Sequence, residues 1–68
     1  MKLYDLLQLI SINAKIVIKD WTGKAHEIKF NGNMENLDFA NFEKYKNYKV
    51  ICIDSYSSKI IIDVIESN

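Results

Sequence analysis

The chain has 68 residues and a mass of 7.9 kDa, with nine basic residues set against nine carboxylates, no net charge and a pI near 6.5. That balance excludes an acidic mimic of nucleic acid and lacks the strongly basic footprint of most nucleic-acid proteins. Apolar residues at 49% and charged residues at 26% exclude a disordered chain and are ordinary for one small globular domain, residues 1–68.

No apolar run approaches the roughly 18 residues of a membrane span. No basic, apolar and small-residue succession reads as a signal peptide, so the expectation is a cytoplasmic protein without membrane contact. A chain this short hides only about 60% of its unfolded surface. With a single cysteine, Cys52, it has no internal disulfide to compensate, and self-association or docking on a partner becomes the expected aid. All nine basic residues are lysine, so the planar fork that arginine offers to phosphate, carboxylate or guanine is missing. Eleven isoleucines, nine lysines and seven asparagines share A/T-rich codons and point to a genome low in G+C.

The N-terminus reads as an amphipathic helix over residues 2–12. Leu3, Leu6, Leu7 and Ile10 fall at i, i+3, i+4 and i+7, Asp5 suits the first turn, and Asn13 is a left-handed stop. So short a helix must lie against an apolar surface. From Ala14 to Trp21 the period changes to two, with β-branched Ile16 and Ile18 between lysines, which predicts a strand. Asp20-Trp21-Thr22-Gly23 predicts a type I turn with Gly23 left-handed, and Lys24–Phe30 the return strand, with His26, Ile28 and Phe30 on one face.

Residues 34–47 predict a loop holding a short helical turn, with Leu37, Ala40 and Phe42 inward, Phe39 able to join either face, and Asn33 or Asn36 as cap. Tyr48–Asp54 and Lys59–Ile65 predict a second hairpin joined by Ser55-Tyr56-Ser57-Ser58. Here simple alternation fails. Tyr48, Val50 and Cys52 fall on one face while Ile51 and Ile53 fall on the other, and Ile60, Ile62 and Val64 oppose Ile61 and Ile65. Strands apolar on both sides are normally covered on both sides, and one short helix covers one. The other face must meet a folded-over hairpin, a second copy or another protein.

Little in the chain carries chemistry. His26 has a carboxylate neighbour in Glu27, but on a strand the two point to opposite faces. Cys52 within an apolar strand reads as a buried inert thiol, and one Cys with one His cannot supply a zinc site. Asp54 and Asp63 fall towards opposite ends of the second hairpin, which argues against shared acid–base work. Gly23 and Gly32 are both spent in turns, leaving no phosphate cradle. The expectation is a non-enzyme without metal or cofactor. Lys44, Tyr45, Lys46, Tyr48 and Lys49 interleave cations with aromatics, the pattern that stacks bases and meets phosphates in single-stranded nucleic acid. Trp21 and Tyr56, one at each hairpin tip, are candidate anchors for a protein interface.

The opening Met-Lys-Leu-Tyr-Asp-Leu-Leu-Gln-Leu-Ile, the strand-rich remainder, and Tyr45 with Asn47-Tyr48-Lys49-Val50 leading into a strand carry a resemblance. The chain resembles small proteins encoded by phages and prophages of low-G+C Gram-positive bacteria. The resemblance implies a setting in the host cytoplasm and action by binding a host or phage protein, as inhibitors of CRISPR and other defences do. It implies no catalytic residue.

The sequence therefore predicts an α+β domain of order α-β-β-β-β, a short N-terminal helix on an antiparallel sheet of two hairpins. Its expected role is non-catalytic protein binding, with self-association as a dimer. The expected interface is Ile51, Ile53, Ile61 and Ile65 with Trp21 and Tyr56. Nucleic-acid binding through 44–49 is the alternative.

Overall fold

A computed structural model describes residues 1–38, 40 and 42–67. Its elements are α1 (Leu3–Leu7), β1 (Lys15–Asp20), β2 (Glu27–Asn33), β3 (Lys49–Tyr56) and β4 (Lys59–Ile65), with 3-10 turns at Met34–Asn36 and Glu43–Tyr45. The order α-β-β-β-β is as the sequence predicts. The sheet is mixed, however, with strand order β2-β1-β4-β3: each hairpin is antiparallel, while β1 and β4 lie parallel in the middle. The cause is the connection over 34–48. It carries the chain back along the sheet, so β3 starts level with the end of β1, and β4 then runs in the same direction as β1.

Helix α1 is shorter than the predicted 2–12. After Leu7 the chain tightens into i+3 bonds, Leu9 N–H to Leu6 C=O (3.0 Å) and Ile10 N–H to Leu7 C=O (3.3 Å), and the poor helix formers Ser11-Ile12-Asn13 follow. The apolar stripe is as predicted: Leu3, Leu6 and Leu7 are buried and Ile10 packs against them. The helix start is tied to the second hairpin by Leu3 N–H to Tyr48 C=O (2.8 Å) and Val50 N–H to Met1 C=O (2.9 Å).

The core lies between one face of the sheet and α1 with the 34–48 connection. Ile16, Ile18, Ile62 and Val64 from the two central strands are fully buried there, joined by Met34, Leu37 and Phe42. The connection is thus a loop with inward apolar residues, as predicted, though it makes two helical turns and Ala40 is exposed. Neither Asn33 nor Asn36 caps a turn through its side chain. Phe39 lies outside the described residues.

Local geometry departs from prediction at four other places. Gly23 and Asn13 do not adopt the left-handed conformation. A six-residue loop, 21–26, replaces the tight turn after β1, and the Asp20 carboxylate organises it by accepting the Thr22 backbone N–H (2.9 Å). A register shift after Ile18 makes Lys29 an extra residue, so Phe30 pairs with core-facing Ile18 while Ile28 pairs with outward Lys19. The second turn holds only Ser57 and Ser58, both with positive φ (53° and 65°), the geometry of a two-residue hairpin loop.

Candidate functional site: the uncovered sheet face

Pairing fixes what the second face of the sheet presents. Ile16 and Ile18 point into the core, so Lys15, Val17 and Lys19 point away from it. Their parallel neighbours on β4 are Ile61 beside Val17 and Asp63 beside Lys19, with Ile65 further along. Ile28 and Asn31 flank them on β2, and Cys52 and Asp54 flank them on β3. Apart from the side chains of the sheet itself, no described element packs over this face. It carries Ile61 and Ile65 half-buried and Ile28 at 55% exposure, rimmed by Lys15, Lys19, Lys49 and Lys59.

Val17 is the exception on this face, being only 6% exposed. Asp63 adds a second unusual feature: its Oδ1 is buried and has no hydrogen-bond donor among the described residues. A buried carboxylate oxygen without a donor is unfavourable.

The six residues expected at an interface are not brought to one place. Ile61 and Ile65 share the uncovered face. Ile53 pairs with core-facing Ile62 at the sheet margin, which puts it on the same side as Val50, whereas Cys52 pairs with outward Asp63. The register shift between Val50 and Cys52, with Ile51 as the extra residue, overturns the face assignment drawn from simple alternation. Ile51 and Ile53 are 47% and 51% exposed because β3 is an edge strand. For the same reason Cys52 is exposed, not the buried thiol the sequence suggests. Trp21 continues the β1–β4 ladder through its N–H to Val64 C=O (2.8 Å), and its ring lies 4.7 Å from that of His26. Tyr56 stands alone at the second turn, 78% exposed.

The Lys/Tyr segment is dispersed as well. Tyr45 and Tyr48 pack against the core and each other (centroids 5.0 Å apart), and Phe42 lies 4.9 Å from Tyr45. Lys29 and Lys44 sit over the Tyr45 ring at 5.4 and 5.0 Å. Lys46 pairs with Glu43 (2.5 Å), which raises its pKa, and Lys49 belongs to the rim of the uncovered face. The rings that would stack on bases are therefore held in packing contacts.

Asp54 and Asp63 are closer than the sequence suggests, diagonal neighbours on the uncovered face offset by two residues along the ladder. Asp54 is engaged locally, its Oδ1 accepting the Ser55 N–H (2.8 Å). No group of three or more His, Cys, Asp or Glu side chains among the described residues could hold a metal ion. An open groove of about 530 Å³ lies between α1 and the 40–46 segment, lined by Tyr4, Leu7, Phe42 and the Glu43–Lys46 pair. It gathers no nucleophile–base arrangement. No helix of the described residues is long and apolar enough to cross a membrane. No family model, curated protein or solved structure matches the chain.

Proposed function

We propose that the protein is a non-catalytic binding module whose uncovered sheet face docks on protein, first on a second copy of itself and through the same chemistry on a host or phage target. The resemblance to small phage proteins supplies the biological setting for that target. The observation that supports this reading is the one-sided core: α1 and residues 34–48 cover one face, while Ile28, Ile61 and Ile65 are left on the other. An aliphatic strip with a charged rim suits a protein surface, whose apolar side chains gain by burying it; a sugar–phosphate backbone gains nothing there.

The test is Ile61→Lys. Ile61 faces away from the core, so the expected outcome is a variant that retains the native circular dichroism spectrum and lacks the concentration-dependent self-association expected of the native chain in light scattering. Proteins retained from host lysate by the native chain and released by Ile61→Lys are the targets of this face. A native chain that stays a folded monomer at every concentration, and whose lysate captures are indifferent to Ile61→Lys, refutes the reading.

A further inference from the structure

The sheet has two edges, and they are treated differently. On β2 the edge is broken by the extra residue Lys29, whose ammonium pairs with Glu27 (2.7 Å). Bulges and charges of this kind prevent strand addition. On β3 the first stretch is occupied by the N-terminus, through Val50 N–H to Met1 C=O, Leu3 N–H to Tyr48 C=O and a Lys2–Lys49 bridge. From Ile51 to Tyr56 no other described strand pairs with the edge, and its exposed isoleucines are the kind of surface that recruits another strand.

The geometry allows one self-pairing there. With a two-residue loop at Ser57-Ser58, the flanking Tyr56–Lys59 pair is the hydrogen-bonded type. Alternation then aims the main-chain groups of Asp54 and Tyr56 at β4, and those of Ile53 and Ser55 at the open edge. Two copies of β3 pair antiparallel only by matching outward groups with outward groups. Centred on Ile53, the pairing would set Tyr56 of the second copy against Val50, a position Met1 already holds. Centred on Ser55, it would set Ile53 against Ser57 of the second copy, which belongs to the turn and has positive φ. Centred on Asp54, it joins Ile53 to Ser55 of the second copy twice and leaves Met1 in place.

We propose that Asp54 keeps this edge closed against a second copy of the chain, and that removing its carboxylate turns β3 into a self-pairing interface. Asp54 obstructs the one permitted register in two ways. Its Oδ1 accepts the Ser55 N–H (2.8 Å), which is the donor that register requires. The register also places the two Asp54 residues directly opposite each other, with Cα atoms about 4.5 Å apart, where like charges repel. The edge is formed by the main chain of β3, whereas the Asp54 side chain lies on the uncovered face beside Ile61, so the Ile61→Lys arm of the test separates this proposal from the function proposed above.

The test is sedimentation of full-length Asp54→Ala against the native chain over a dilution series. The variant half-associates at a concentration at least about tenfold lower than native. Adding Ser55→Pro, which deletes the edge N–H and leaves the bonds to β4 intact, returns the native behaviour. Adding Ile61→Lys instead leaves the gain in place. An Asp54→Ala chain that associates no more than native overturns the proposal, as does a gain that survives Ser55→Pro or vanishes with Ile61→Lys. If the Ser55→Pro chain does not fold, amide exchange of Asp54→Ala decides: Ile53 and Ser55 protection must rise with concentration, and unchanged protection is refutation.

Discussion

The Lys59 ammonium donates to the side-chain oxygen of Asn31 (3.4 Å), spanning the central strand β1 from β4 to β2. Asn31 is the ladder partner of Val17, and Ile61 flanks Val17 on the other side. The bridge therefore spans β1 next to Val17, on a face with no second layer, where a lysine stem can shield apolar surface while its head stays wet.

Most of that shielding resides in the methylenes, because the polar contact is long and exposed. Lys59→Ala should cost about 0.5–1 kcal/mol of unfolding free energy, whereas Lys59→Met, which keeps the stem, should cost less than half of that. Urea denaturation of both variants checks this. Equal losses would assign the effect to the ammonium–amide contact.

At the opposite end of the sheet a hydroxyl links three segments. Thr22 Oγ1 donates to Asp20 Oδ1 (2.5 Å) and accepts the Glu66 backbone N–H (2.7 Å), fastening the residues after β4 to the loop after β1. Thr22→Val keeps the shape and loses both bonds, and is expected to destabilise by about 1–2 kcal/mol. Thr22→Ser should restore most of it. Thermal unfolding distinguishes the two, and a fully stable Val variant would show the link to be incidental.

What was legible in the sequence depended on period, and what was hidden depended on single-residue irregularities. The stripe Leu3-Leu6-Leu7-Ile10 and the two β-rich hairpins follow from spacing alone and are present. Strand order is not local information. Nothing in Ile16–Ile18 or Ile60–Ile62 distinguishes a parallel neighbour from an antiparallel one, because both central strands are apolar either way. The extra residues at Lys29 and Ile51 carry no side-chain signature, yet each reverses every face assignment beyond it. Ile28, Cys52 and Ile53 lie on the face opposite to the one simple alternation gives, for that one reason. Ile61 and Ile65 lie after no such irregularity, and their outward direction was readable.

Ser57 and Ser58 both take the left-handed conformation, which an L-residue with a Cβ adopts at a cost of roughly 1 kcal/mol each. Asn and Gly fit a two-residue loop with positive φ at both positions. Ser57→Asn with Ser58→Gly should raise stability by about 1 kcal/mol, read as a higher urea midpoint with unchanged slope. Ser58→Val should lower it. A neutral Asn-Gly variant would mean the loop strain is already relieved elsewhere.

Tyr48 gives the fold an alkaline limit. Burial first, and then the nearby Asp20 and Glu66 carboxylates and Tyr45, push its phenol above the ordinary value of 10.0, with Lys44 opposing. The folded state thus holds this proton more tightly than the unfolded chain does. Below about pH 10 both states are protonated and the contribution is fully present. As pH rises through the folded pKa the unfolded chain ionises first, and stability is lost. Tyr48→Phe removes this one titration and should flatten the decline in urea midpoint between about pH 9 and 11.5 relative to native. The lysines with raised pKa, Lys29 and Lys46, lose stability in the same direction, but their pairs are exposed and remain in both proteins, so the difference isolates Tyr48. Parallel declines for the two proteins would place the phenol in water rather than against the core.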